Sequence, residues 1–120
     1  MTEMTFLSLS ETGISDISPL EGMTKLTRLE LWNIDIEDIS PLAGMSQIDR
    51  LEMNDNRIRD ISALSNMPKL KNLELDGNEI TDVSPLQADT KLETLYLSRN
   101  RIEDVTPLAD LQALFWLELS

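Results

Sequence analysis

Apolar residues recur along this chain at a fixed spacing of 22, and no insertion or deletion breaks the register. Met4, Leu26, Ile48, Leu70, Leu92 and Leu114 form one series. Leu7, Leu29, Leu51, Leu73, Leu95 and Leu117 form a second, and Leu9, Leu31, Met53, Leu75, Leu97 and Leu119 a third. Three more series follow in each unit, beginning at Ile14, Ile17 and Leu20. A unit this short cannot bury its apolar face alone, so successive units must stack. The sequence divides into five 22-residue coils from Met4 and a terminal strand at 114–120, all within one domain spanning 1–120.

Local chemistry gives each coil its shape. Leu-x-Leu alternation, as in Leu73-Glu74-Leu75, predicts a short strand with one face buried. A turn follows, as at Asp76-Gly77-Asn78. Then comes the element Asp38-Ile39-Ser40-Pro41-Leu42, repeated with small changes at 16–20, 60–64, 82–86 and 104–108. Ser or Thr before Pro predicts an N-cap followed by the first residue of a helical turn. The few residues left in each unit allow only a 3₁₀ or short α turn. Stacked coils place all strands side by side in a parallel sheet. Six strands at ~4.8 Å make an arc roughly 24 Å long.

The phrase L-x-x-L-x-L-x-x-N-x-I, complete at Leu70–Ile80 and Leu92–Ile102, resembles the leucine-rich repeat. The 22-residue length and the I-x-D-I-S-P-L continuation resemble the internalin-like bacterial class. The resemblance implies an α/β solenoid: a right-handed superhelix with a parallel sheet on its concave face and 3₁₀ or helical turns on its convex side. It also implies a protein-binding surface, and in many relatives a bacterial surface adhesin.

Strand alternation then assigns the concave face. Three outward rows run across the strands. They start at Phe6, Ser8 and Ser10 and pass through Arg28, Glu30 and Trp32. Of the five aromatic residues, Phe6, Trp32, Tyr96 and Trp116 fall in these rows, Phe115 lies beside them, and none fills a core slot. Trp and Tyr beside Arg are the side chains that dominate binding hot spots. The residues expected to meet a partner are Arg28, Glu30, Trp32, Arg50, Glu52, Glu74, Tyr96 and Trp116. The aromatic rings could equally shield the strand backbone. Glu30, Glu52 and Glu74 form a ladder that Arg28 and Arg50 can relieve across the face. It reads either as a solvated charge ladder or as a field that steers a basic partner surface.

Composition narrows the function. The chain has no histidine and no cysteine, which removes the usual general base, thiolate metal sites and disulfides. No nucleophile elbow or phosphate-binding glycine loop is present. An enzyme is not expected, and neither is a cofactor. A net charge of −12 argues against nucleic acid and against anionic membranes. No stretch is long and apolar enough to span a bilayer. The start, MTEMTFLSLSETG, has no basic n-region, so the chain as written reads as cytoplasmic. A piece of an internalin-like protein would instead be secreted or cell-surface.

A second ladder, Asp16, Asp38, Asp60, Asp82 and Asp104, supplies one carboxylate per coil. That is too few for calcium, and these residues are expected to accept backbone N–H groups at the turn. The functions left open are a protein-binding module, spacer coils of a larger solenoid or adhesin, and a carbohydrate-binding face. The chain begins and ends almost on strands, so stacking on further coils or end-to-end self-association is expected, with the negative charge opposing the latter.

Three substitutions in the register carry expectations. The asparagine slot reads Thr12, Ile34, Asn56, Asn78 and Asn100. The turn around Ile34 is therefore expected to lose hydrogen bonds, in exchange for an exposed Trp32 ring between Ser10 and Asn54. Asp89 stands where Met23, Met45, Met67 and Leu111 fill the core. Its helical turn is expected to be displaced, with Ala88 or Leu86 filling the gap.

Overall fold

The computed structural model describes residues 3–120. The strands are β1 (Phe6–Ser8), β2 (Arg28–Glu30), β3 (Arg50–Glu52), β4 (Asn72–Glu74), β5 (Thr94–Tyr96) and β6 (Trp116–Glu118). They form one six-stranded parallel sheet in chain order, with residues 22 apart paired throughout. The molecule measures 38 × 25 × 19 Å. The sheet lines the concave face of the solenoid, as the repeat pattern predicts. We number the coils 1 to 5, beginning at residues 4, 26, 48, 70 and 92.

The convex side carries five 3₁₀ turns: Ser18–Leu20, Ser40–Leu42, Ser62–Leu64, Ser84–Ala88 and Thr106–Leu108. Their start differs from the expected cap. Ser or Thr is the first helical residue, the preceding Ile or Val is the N-cap, and no side chain of that residue makes a cap bond. An aliphatic side chain has no acceptor to offer, so the aspartate one residue earlier takes the role. Asp16, Asp38, Asp60, Asp82 and Asp104 each accept the backbone N–H two residues on, at 2.9–3.0 Å. That backbone bond, followed by one from the Ser or Thr hydroxyl, holds each carboxyl below the usual carboxylate range. The aspartate ladder is thus a row of turn braces.

Between strand and convex turn the backbone enters the left-handed region once per coil, at Glu11, Asn33, Asp55, Gly77 and Arg99. Coils 1 and 2 add a second such residue, Gly13 and Asp35, and coils 3 to 5 do not. The coils with the second left-handed residue are the two without asparagine in the ladder slot.

The ladder itself runs between coils. Asn56 Oδ1 accepts the N–H groups of Ile34 (3.0 Å) and Ile36 (3.2 Å), both in the preceding coil. Asn56 Nδ2 donates to the carbonyls of Leu31, Met53 and Asn54. Asn78 and Asn100 repeat the three donations one and two coils on, each accepting a single N–H, from Ile58 and Ile80. An asparagine therefore braces the carbonyls of its own turn and the N–H groups of the turn before it. This corrects the expectation for Ile34 in part. Its turn lacks the bonds an asparagine of its own would donate, but Ile34 and Ile36 N–H and the Leu31 carbonyl keep theirs because Asn56 supplies them, and Ile34 itself is buried. Among the described residues the turns of coils 1 and 5 receive no asparagine oxygen from a following coil, and coil 1 has no asparagine of its own either. There Ile14 N–H has only the Thr12 hydroxyl, at 3.4 Å.

The core is filled by Leu, Ile, Met and Val from every coil. Some end slots are open: Ile14, Val105, Leu117 and Leu119 are 40–46% exposed. Among the described residues, each has a neighbouring coil on one side only.

Asp89 also departs from expectation. Its 3₁₀ turn is longer than the others, yet the side chain stays in the methionine slot, 2% exposed, while Ala88 is exposed and fills nothing. Oδ1 accepts a long bond from Met67 N–H (3.4 Å), and Oδ2 has no partner. The stacked slots of Met67 and Leu111 on either side fix the backbone path, so the carboxyl is carried inward with it. Desolvation, only partly offset by the Met67 amide, pushes this carboxyl up to about 7.

Candidate functional site

Three residues per strand build the concave face. The middle residue of β2, β3, β4 and β5 is a fully buried leucine, so its two strand neighbours must point outward. Arg28, Glu30, Arg50, Glu52, Glu74, Tyr96 and Trp116 all lie in strands on this face, and Trp32 lies two residues past the end of β2.

The half of the face on β1 to β3 is internally neutralised. Arg28 Nη2 pairs with Glu30 Oε2 at 2.7 Å and reaches Glu52 Oε2 at 3.7 Å. Arg50 Nε pairs with the same Glu52 oxygen at 3.0 Å. The guanidinium of Arg28 also lies over the Phe6 ring, 5.2 Å from its centroid. Sequence reasoning left Phe6 out of the candidate set. Its pairing with Arg28 across β1 and β2 is the register signal that identifies it.

The half on β4 to β6 is different. In the row that begins with Arg28 and Arg50, the next residues are Asn72 and Thr94. They satisfy each other, Thr94 Oγ1 donating to Asn72 Oδ1. Glu74 accepts a bond from Asn54 Nδ2 at 2.8 Å, and among the described residues it has no ion pair. Tyr96 is half-buried, and Trp116 and Phe115 are 50% and 73% exposed.

Trp32 is half-buried as well, which corrects the expectation of an exposed ring. Its N–H donates to Ser10 Oγ, and its carbonyl accepts from Glu11 N–H, so the coil 1 turn packs close beside it.

One side-chain bridge lies on the rim. Arg99 Nη1 reaches Asp55 Oδ1 at 2.9 Å, joining coils 3 and 5 directly above Gly77 of coil 4. A Cβ at Gly77 would collide with both partners. In sequence, the lone glycine in a slot otherwise held by Glu11, Asn33, Asp55 and Arg99 marks the place.

A model of two leucine-rich repeat copies matches residues 2–44 and again 46–88, and a leucine-rich repeat model matches 68–120. This chain belongs to the leucine-rich repeat family. Among solved structures, internalin C2 of Listeria monocytogenes aligns with a TM-score of 0.98 at 39% identity, over 99% of this chain and 53% of that one. A second internalin of that species, InlF, aligns at 0.79 and 28% identity, over 99% and 48%. A leucine-rich repeat protein of Leptospira interrogans shares the fold at 0.79 and 24% identity, over 84% and 27%. No curated protein matches the sequence. The architecture of this leucine-rich repeat protein is internalin-like, and the chain spans about half the length of the two internalins. Leucine-rich repeat domains typically mediate protein–protein interaction and are generally non-catalytic. Among the described residues no helix is long and apolar enough to cross a membrane.

Proposed function

We propose that this leucine-rich repeat protein is a non-catalytic binding module that receives a protein partner on its concave sheet face. One observation carries the reading: among the described residues the core contains no aromatic side chain, and the aromatic side chains gather on or beside the sheet. Rings that the core does not need are large, low-entropy contact surfaces on a rigid support. The contact set is Arg28, Glu30, Trp32, Arg50, Glu52, Glu74, Tyr96 and Trp116.

The test is capture of partners by the wild-type chain, by Trp32→Ala with Tyr96→Ala, and by a convex variant such as Ser65→Ala. Bound proteins are quantified by mass spectrometry. The concave double variant is expected to lose the partner while keeping its unfolding midpoint within about 1 kcal/mol of wild type. Loss on the convex substitution instead would place the partner elsewhere.

A second reading is that these coils act as spacers in a longer solenoid, including a surface adhesin. The half-exposed apolar end slots and the greater length of the two internalins favour it. The same open slots support end-to-end pairing of two copies. Light scattering across a concentration series separates these: a dimer whose amount falls with Leu119→Lys supports pairing, and a strict monomer counts against it.

A further inference from the structure

The two halves of the concave face treat carboxylates differently, and the difference names a partner chemistry. This chemistry follows only if the concave sheet is the binding face proposed above. On β1 to β3 the chain supplies its own cation, with Arg28 between the Phe6 ring and the carboxylates of Glu30 and Glu52. On β4 to β6 the same kinds of group recur. Tyr96 is paired in register with Glu74 on one side and Glu118 on the other. Trp116 stands on β6 next to Glu118, with only Leu117 between them. No cation accompanies them, because Asn72 and Thr94 stand where the arginines were. Among the described residues neither Glu74 nor Glu118 takes part in an ion pair.

We propose that Tyr96, flanked by Glu74 and Glu118 and bordered by Trp116, seats a lysine or arginine side chain of a protein partner. Successive strands are ~4.8 Å apart, so the two carboxylates stand roughly 10 Å apart on either side of the ring. A guanidinium laid on the ring meets its negative face and lies within reach of a carboxylate on each side. The same kinds of group, ring, carboxylate and cation, meet within the chain at Phe6, Arg28 and Glu30, and here the cation is left for the partner to bring. Lys91 closes coil 4, and Arg99 and Arg101 are the basic side chains of coil 5. Arg99 is engaged by Asp55 on the rim, and all three lie outside β5 and β6.

The experiment titrates the ¹⁵N-labelled chain with the blocked peptide acetyl-Gly-Arg-Gly-Arg-Gly-amide, followed by NMR. The same peptide with citrulline for arginine serves as the neutral control. The expected result is shifts centred on Tyr96, Glu74, Glu118 and the Trp116 indole with the arginine peptide and none with the citrulline peptide. Glu74→Gln with Glu118→Gln is expected to weaken binding about tenfold or more, the equivalent of one charge-assisted hydrogen bond. Thermal unfolding of the variant checks that the fold is kept. Shifts centred on Trp32 and β1 to β3 would overturn the seat and leave the concave-face reading standing. Shifts confined to the convex aspartates would overturn both. No shift at millimolar peptide, or unchanged affinity in the double variant, would overturn the seat alone.

Discussion

Asn78 and Asp89 lie in the same coil and are buried almost equally, 6% and 2% exposed, yet they serve the molecule in opposite ways. Asn78, on the turn after β4, uses every part of its amide. Its oxygen accepts Ile58 N–H at 3.1 Å, and its nitrogen donates to the carbonyls of Met53, Leu75 and Asp76. Asp89, on the convex side, has one long bond and one oxygen with no partner. Burial is the same, but satisfaction is not. A fully bonded polar group links coils that have no covalent connection there, whereas a half-bonded one is a standing cost.

The largest expected effect is therefore at the asparagine. Asn78→Ala leaves Ile58 N–H without its partner and takes one of two donors from each of the carbonyls of Met53, Leu75 and Asp76, in two adjacent coils. The orphaned N–H costs about 1–3 kcal/mol and the lost donations add to it, so a loss of about 3 kcal/mol is expected. A shift of the urea midpoint at unchanged slope is the measurement. A loss below about 1 kcal/mol would break the comparison from its stable side.

Asp89→Met should move the other way, because it restores the residue type of coils 1 to 3. Asp89 titrates near 3.8 when unfolded and near 7 when folded. Its folded pKa is raised, so folding favours the protonated acid. The cost of ionising it is absent below pH 3.8, grows as pH rises, and is complete above about 7. One pKa unit corresponds to about 1.4 kcal/mol, which bounds that cost near ~4 kcal/mol. Removing the bond to Met67 N–H takes back about 1–2 kcal/mol. The net expectation at pH 8 is a gain of about 2 kcal/mol that shrinks toward pH 4. A gain of equal size at both pH values would show that the carboxyl's charge is not the source.

The pH profile of the whole chain sharpens this further. The five convex aspartates are held low, so their contribution is lost as pH falls below the usual carboxylate range. Asp89 removes stability on the other side, as pH rises toward 7. Repulsion within a chain of net charge −12 acts in the same direction as Asp89. Stability is expected to peak in mildly acid solution. Asp89→Asn, neutral at every pH, should flatten the fall between pH 5 and pH 8 and leave the acid limb in place. Thermal melts at intervals of one pH unit read both limbs.

These two residues also show what could be read from the sequence. The solenoid, its parallel register and its outward rows follow from a 22-residue period, because slot identity depends on local alternation that stacking then repeats. The candidate face was legible for the same reason. The direction of the asparagine ladder was not. A sequence shows which coil owns Asn56, but only geometry shows that its oxygen points to the coil before. The fate of Asp89 was hidden too. The cost of a buried carboxyl argues for displacement, whereas the slots stacked on both sides of it hold the backbone in place. Nor could the period show that Trp32 would be half covered by the turn beside it.

Ile34→Asn is the smallest and most discriminating change. It adds a fourth asparagine to the ladder, in the coil where the slot is apolar. By the pattern of Asn56, the introduced amide should accept from Thr12 and Ile14 N–H in coil 1, and donate to the carbonyls of Leu9, Leu31 and Trp32. Burying isoleucine contributes about 2 kcal/mol that would be lost, and the new bonds return about as much. The net change in stability is thus expected to stay within about 1 kcal/mol. Hydrogen exchange carries the information instead. In the wild type, Ile34 and Ile36 amides should be as protected as Ile58 and Ile80, since each is held by the next coil's asparagine. Ile14, held only by the Thr12 hydroxyl, should exchange fast. The substitution should slow Ile14 and leave Ile34 and Ile36 unchanged. If Ile14 stays fast, the coil 1 turn differs from that of coil 2, which is left-handed at the same slot, Asp35, and is braced by Asn56, and asparagine alone does not make the ladder.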